Sequence, residues 1–503
     1  MPQLNERWPS RSGSGLGCLL LLVSFCMVVP GSVVHATEDT KRPNVVLLMS
    51  DDQGWGEAGY LGHPVLRTPN LDAMAANGLR LDRFYAGSPV CSPTRATVLT
   101  GRSNDRTGVF DHGYALRLQE RTLAQALRDA GYATAHFGKW HLNGFRGTQG
   151  APVLASDPHS PGAFGFDYWL SSNSNFELNP LLSRMGRFEE LSGDSSDVLA
   201  AEAVQFMTRN ARAGKPFLVA VWYSAAHRPH DASEADQRAY ADLGGKPRRY
   251  YGELAAMDRS IGAIRRSLQE LGIDRDTLVW FCSDNGGLSR IGPDTVGGLR
   301  GSKGTIYEGG LRVPAVVEWP AGMASPRAST FPSSTLDIFP TLVDILDLPD
   351  SVMLRPVDGM SLRPLFEREQ GPRSKPIPIR HGNRAALIDN DYKLLTDRLG
   401  SGEYELYDLS KDPQEKKNLF ERESVIATRM VKQLEEWNRS VEASVAGRDY
   451  PEGRVLPGEP EPREWRDAPE YEPYRAELEK RFGARRVGTK DVVAARSEDP
   501  ITS

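Results

Sequence analysis

Four apolar runs, each separated from the last by an amphipathic or turn-rich stretch, constrain what this chain can fold into. Asn44-Val-Val-Leu-Leu-Met-Ser50 is apolar without interruption between Pro43 and the Asp51-Asp52 pair. A run with no alternation leaves neither face for water, so it reads as a strand buried on both sides. The helical pattern at 121–130 stops at Gly131, and 132–137 follows as a strand. A second helix at 197–211 is broken by Gly214-Lys215-Pro216 before the apolar run 217–223. A third, at 251–271, passes through Gly272 to the run 277–282, and 334–346 adds another helix. Helices alternating with buried strands predict an α/β fold with a mostly parallel central sheet sandwiched by helices.

From residue 376 the pattern changes. Short segments at 385–388, 392–395 and 404–407 are separated by turn residues, which predicts a small antiparallel sheet in a C-terminal subdomain. Beyond 446 Pro, Glu and Arg dominate and aliphatic residues thin out, as in an extended arm. At the other end, Arg7 and Arg11 precede an apolar stretch at 16–30, and Val34-His35-Ala36 offers a small-residue cleavage pattern. That stretch is shorter than the ~20 residues of a membrane span, so it reads as a secretory signal that leaves no stable membrane anchor. The expected division is a signal peptide at 1–36, a main domain at 37–375, an α+β subdomain at 376–445 and a charged, Pro-rich tail at 446–503.

Four cysteines in 503 residues are too few for a disulfide scaffold. Cleavage of the signal removes Cys18 and Cys26, so Cys91 and Cys282 each need a separate reason. Cys282 ends an apolar run and reads as a small packed hydrophobe. The net charge of −5 supplies no general field for nucleic acid, and no nucleic-acid partner is expected.

Ligands of open α/β sheets bind beyond the carboxyl ends of the strands, where this chain concentrates its chemistry. Asp51 and Asp52 follow the first strand, Lys139 and His141 the second, His227 and His230 the third, and Asp284 and Asn285 the fourth. Each alone is an ordinary turn or cap residue. Together, Asp51, Asp52, Asp284 and Asn285 offer hard oxygen ligands, which suit Ca²⁺, with Mg²⁺ second, rather than Zn²⁺. Residues 88–102 read as a turn entering a short helix that ends at Gly101. Cys91 sits at its start, where backbone N–H groups favour anions, and Arg95 lies one turn later on the same face.

Cys-Ser-Pro-Thr-Arg at 91–95, continued by Thr-Gly-Arg102, resembles the Cys-x-Pro-x-Arg signature of the type I sulfatases. These are the arylsulfatase-like, formylglycine-dependent branch of the alkaline phosphatase superfamily. Segments at 44–54, 138–142, 227, 283–286, 301–310 and 404–419 are similar to the family's blocks in the family's order. The resemblance implies an alkaline phosphatase-like fold and a sulfuric ester hydrolase with 37–375 as its catalytic domain. It implies that a formylglycine-generating enzyme converts Cys91 to Cα-formylglycine during export. The hydrated aldehyde then attacks sulfur and afterwards collapses to free the sulfate. By the same resemblance Asp51, Asp52, Asp284 and Asn285, with position 91 beside them, bind the divalent cation. Arg95 and Lys139 position the nucleophile, and Lys303 holds sulfate oxygens. His141 is the base for sulfate elimination, and His227, with Lys303, the acid for the leaving group. The family's sulfate-binding Ser has no single counterpart, since Ser171, Ser172 and Asn173 compete for it.

The implied substrate is a small-molecule or glycan sulfate ester, a sulfated carbohydrate above all. Loops at 143–161 and 173–190 are expected to shape its selection, with His63, His112, Arg228 and His230 as further candidates to line the pocket. Two readings compete: phosphate or phosphonate ester hydrolysis on the same fold, and Ca²⁺-dependent binding of sulfated glycans with Cys91 unmodified. The signal, and a sole Asn438-Arg-Ser sequon, favour a bacterial periplasmic or secreted enzyme, with a lysosomal one as the eukaryotic counterpart. Oligomeric state leaves no signal in the sequence.

Overall fold

The computed structural model describes residues 42–147, 150–176, 178–292 and 294–483. Its main sheet grows outward from the most apolar strand, β1 (Asn44–Ser50), which is buried along its whole length. Val45, Leu47 and Met49 enter the core on one face of the sheet, and Val46 and Leu48 the core on the other. Each such side chain contributes roughly 1.5–3 kcal/mol by its burial, which anchors the two aspartates that follow. Beside β1 run β2 (Ala133–Lys139), β3 (Tyr168–Ser172), β4 (Phe217–Trp222) and β5 (Thr277–Ser283), all parallel, in the order β5-β1-β4-β2-β3. The sheet continues past β5 with Ala315–Glu318, Leu79–Leu81 and Arg327–Ser329, and past β3 with the hairpin Leu181–Arg184 and Arg187–Glu190.

Helices cover both faces. On one, α2 (Ser195–Arg212) and α3 (Gly245–Glu270) pack Leu199, Phe206, Leu254 and Ile261 against the sheet. On the other lie α1 (Cys91–Thr100), through Ala96, Val98 and Leu99, and the helices Leu123–Asp129 and Ile338–Ile345. The fold is the expected α/β sandwich with a mostly parallel sheet.

Three local differences matter for the site. The strand expected at 132–137 runs on to Lys139, so Lys139 ends β2 rather than following it. Gly138 permits this: its φ is +106°, and a Cβ there would stand 2.0 Å from the Trp222 carbonyl oxygen. The helix expected at 334–346 divides at Asp337 into a 3-10 turn, capped by Ser334, and an α-helix. The segment 173–190 is not a free loop, because its second half forms the sheet-extending hairpin.

The small sheet comprises Ile377–His381, Arg384–Asp389, Tyr392–Thr396 and Glu405–Asp408, all antiparallel. One face packs on α4 (Ser424–Val445) through Leu387, Leu394 and Leu406 against Met430 and Leu434. The other sets Ile377, Ile379, Ile388 and Leu395 against Tyr85, Ile306, Leu311 and Leu336 of the larger part. Alternation within each strand thus supplies two apolar faces, one for the helix and one for docking.

The segment after 446, expected to be an extended arm, folds back as far as it is described. Trp465, Ala468, Tyr471 and Leu478 are buried with Phe145, Ala151, Leu154 and Leu181. Its few aromatic side chains do what its missing aliphatics could not. The signal peptide at 1–36 and residues 484–503 lie outside the described residues. Among the described residues no helix is long and apolar enough to cross a membrane.

Candidate active site

Strand register brings the first carboxylates together. Met49 pairs with Cys282 and Ser50 with Ser283, so Asp51 and Asp284 leave adjacent strands side by side. Asp52 takes a left-handed conformation, φ +64°, and its N–H donates to Asp284 Oδ1 at 3.2 Å. Asn285 Nδ2 donates to Asp52 Oδ1 at 2.8 Å. The glycine after it is required by close approach: a Cβ on Gly286 would lie 2.0 Å from the Gly309 carbonyl oxygen.

Arg95 reaches this cluster from the first turn of α1. One terminal nitrogen donates to Asp51 Oδ2 at 2.9 Å and to Asp284 Oδ2 at 2.8 Å. The other donates to the Lys139 carbonyl at 2.9 Å, and the guanidinium lies 5.2 Å over the Trp222 ring. Lys139 Nζ donates to Asp51 Oδ2 at 2.5 Å, and Lys303 Nζ donates to Asp52 Oδ1. His227 Nε2 stands 3.8 Å from Asp52 Oδ2. Cys91, at the start of α1, is 3% exposed, and ligand atoms of Asp51, Cys91 and Asp284 lie within 4.8 Å of one another. His141 is buried with both ring nitrogens unbonded. Every catalytic or metal-binding candidate named from sequence therefore falls in one rim.

The charges interlock. Burial opposes ionisation of Asp51, yet Lys139, His227 and Arg95 hold it well below the carboxylate range. Burial and the Asp51 charge push Asp284 up to about 6. Burial, helped by Lys139 and Arg95, holds His141 well below the ordinary imidazole value. Burial and Lys303 lower His227 to about 4. Burial raises the Cys91 thiol against the pull of Lys139 and Lys303, so an unmodified Cys91 is a poor nucleophile. Three carboxylates face three fixed cations.

The remaining candidates have surroundings of their own. His63 Nδ1 accepts the N–H groups of Val65 and Leu66, which holds a turn. His112 is exposed and paired with Asp111, and Arg228 is exposed. His230 is buried 3.5 Å from Glu253. Ser171 Oγ bonds His136 Nδ1 at 2.7 Å, and Ser172 Oγ donates to the Ala151 carbonyl. Asn173 bonds Asn143 and Tyr471, while its carbonyl accepts the His141 N–H at 3.0 Å. Sequence reasoning missed Trp222, Asn173 as the support of His141, and Glu57 with Tyr250, which bond at 2.7 Å behind Asp52. Trp222 ends its strand on the same rim, so counting last strand residues along with those beyond would have found it.

An α/β sandwich whose parallel strands deliver interlocked carboxylates and cations beside a buried helix-start cysteine defines an alkaline phosphatase-like hydrolase. The chain matches the family model "Sulfatase" over residues 43–348, and that for the C-terminal part of N-sulphoglucosamine sulphohydrolase over 302–440. It belongs to the sulfatase family and is a sulfuric ester hydrolase of the type I group. It is 33% identical over 371 residues to N-acetylgalactosamine-6-sulfatase of Canis lupus familiaris, covering 67% of this chain and 68% of that one. The crystal structure of Ps i-CgsB in complex with k-i-k-neocarrahexaose superposes with TM-score 0.70 at 25% identity, over 79% of this chain and 92% of that one. The phosphonate monoester hydrolase of Agrobacterium radiobacter shares the fold, with TM-score 0.55 at 22% identity over 80% and 96% of the two chains.

Proposed function

We propose that this sulfatase frees inorganic sulfate from a sulfated carbohydrate, using Cα-formylglycine formed from Cys91 and a Ca²⁺ ion held by Asp51, Asp52, Asp284 and Asn285. The observation that carries the reading is a pair of buried oxygens, Asp51 Oδ1 and Asn285 Oδ1, that no described group satisfies. Buried polar atoms without partners are rare, and oxygens aimed into a carboxylate cluster fit a hard cation. The residues present thus fit the ion, and among the described residues His227 is the one imidazole grouped with their carboxylates. When present, the aldehyde hydrate at position 91 supplies the attacking oxygen, and the cation supplies charge stabilisation.

The chain's own groups do the rest. Arg95 and Lys139 fix the Asp51–Asp284 pair and the side chain at position 91. Lys303 holds the sulfate oxygens from across the rim. His141, neutral and unbonded, is ready to accept a proton during sulfate release. His227 hands a proton to the departing ester oxygen, jointly with Lys303. An anionic ester beside His227 raises its affinity for that proton, so protonation accompanies substrate binding. The three carboxylates and three cations balance, so a bound dication leaves a net positive site for a sulfate monoester anion.

A carbohydrate substrate is supported by two similar proteins, an N-acetylgalactosamine-6-sulfatase and one solved with a neocarrahexaose. The same reading takes 1–36 as the export signal, 37–375 as the catalytic domain and 376–445 as its subdomain. It places a formylglycine-generating enzyme in maturation, before the fold buries position 91. The test is sulfate release from sulfated oligosaccharides before and after chelation. Activity should vanish on chelation and return with Ca²⁺ more fully than with Zn²⁺; activity indifferent to chelation contradicts the metal assignment.

A further inference from the structure

Residues 447–483 lie beyond both matched family regions, yet they pack on the segments that follow β2 and β3, where Tyr471 bonds Asn173. Their last helix, Arg475–Phe482, brings Arg481 and Phe482 to one wall of a cavity of about 430 Å³. Asn175 and Phe176, beyond β3, and Pro229 and Asp231, beyond β4, line it as well. That volume lies within the roughly 300–1,000 Å³ of small-molecule sites. The cavity adjoins the catalytic cluster: Pro229 is two residues past His227, so their Cα atoms are at most about 7 Å apart. The Phe176 N–H donates to Ser224 Oγ at 3.1 Å, and the Ser224 carbonyl accepts the His227 N–H at 2.8 Å. One residue thus supports both the cavity wall and the His227 turn.

The lining suits a sugar ring. Asn175 is 4% exposed and its Oδ1 has no hydrogen-bond partner, which leaves an acceptor for a ligand hydroxyl. Phe176 and Phe482 supply aromatic surface for the C–H face of a pyranose. Arg481 is committed to Glu190 and the Asn179 carbonyl, and among the described residues no cation pairs with Asp231. A second anionic group is therefore unwelcome in the cavity. We propose that it is a second sugar subsite, closed by the C-terminal segment, that takes an uncharged hexose or N-acetylhexosamine next to the sulfated ring. This rests on the sulfated-carbohydrate reading above.

The test uses competition against 4-nitrocatechol sulfate turnover by the full chain. The competitors are galactose 6-sulfate alone, the same ring linked to a neutral N-acetylhexosamine, and the same ring linked to a uronic acid. The neutral disaccharide should compete about tenfold better than the monosaccharide, and the uronate-bearing one should gain far less. Phe482→Ala should erase most of the gain. Asp231→Asn, a one-atom change on an exposed side chain, should let the uronate-bearing disaccharide recover it. Melting curves establish folding of both variants, and if Phe482→Ala fails to fold, Asp231→Asn decides. A wild type with no gain from the second ring, or a gain that survives Phe482→Ala and ignores Asp231→Asn, overturns the subsite. If the wild type turns over no sulfate ester, the proposed function itself falls and the subsite with it; intact turnover without the gain removes the subsite alone.

Discussion

Arg95 bonds partners from three strands, Asp51 after β1, Asp284 after β5 and the Lys139 carbonyl at the end of β2. Only a planar fork meets all three, and the Trp222 face beneath it suits a guanidinium. Arg95→Lys keeps the charge and loses the geometry, so kcat should fall about 10²–10³-fold, the usual size for a lost charge-stabilising contact. Steady-state kinetics with metal content measured alongside checks this; a loss under about tenfold contradicts it. Glu57 gives a prediction for stability. Burial raises its carboxyl from 4.5 to about 8, against the Tyr250 and Gly54 hydrogen bonds. The folded group therefore keeps a proton that the unfolded chain sheds from 4.5 upward, and its contribution to stability is lost as pH rises through about 8. Glu57→Gln has no proton to lose, so its stability relative to wild type should rise by roughly 1.4 kcal/mol per pH unit across that window. Urea unfolding at about pH 5, 7 and 9 reads the slope, and a difference flat with pH contradicts it.

Among the connecting elements, the 301–310 segment that carries Lys303 is held from three sides. The Lys303 N–H donates to the Gly287 carbonyl at 3.0 Å, and that of Gly304 to the Pro89 carbonyl at 3.0 Å. Glu308 receives Lys393 Nζ at 3.0 Å and donates its own N–H to Glu415 Oε2 at 2.7 Å. Lys393, fully buried on the small sheet, thus neutralises two carboxylates that would otherwise repel. Lys393→Met should cost about 3–5 kcal/mol by leaving buried charge unpaired, and should weaken activity by loosening Lys303. Denaturant midpoints and turnover measured together test both, and an unchanged midpoint contradicts the first. On the opposite side, Tyr471 accepts from Asn173 Nδ2 at 2.7 Å and donates to the Pro152 carbonyl at 2.7 Å. Tyr471→Phe should lower kcat more than it raises KM, because Asn173 supports His141; an effect on KM alone contradicts that link. Four of the five parallel strands were legible in the sequence because they are buried on both faces and largely apolar; Tyr168–Ser172, five residues ending in two serines, was not. The residues beyond them were legible because hard ligands and bases cluster where sheets bind ligands. Short strands such as Leu79–Leu81 were not legible, since three residues show no periodicity. Nor was the docking of Trp465 and Tyr471, isolated aromatics among Pro and Glu whose partners are hundreds of residues away.

Over the whole molecule the overall charge of −5 says little about what the site attracts. Arg95, Lys139 and Lys303 offset the three carboxylates, and the dication proposed for the site would set the local field in favour of an anionic ester. The small sheet and the C-terminal segment flank this centre, one linked to the Lys303 segment through Lys393 and Glu308 and the other to His141 through Tyr471 and Asn173, so parts distant in sequence support one rim. Sulfate release depends on what stands at position 91. The most direct measurement is the mass of the peptide containing Cys91, from protein made with a formylglycine-generating enzyme, paired with sulfate release by the same sample. The peptide should be about 18 Da lighter than its cysteine form, with activity in proportion to the converted fraction and none in Cys91→Ala. Full activity in a sample whose position 91 is entirely thiol contradicts that dependence.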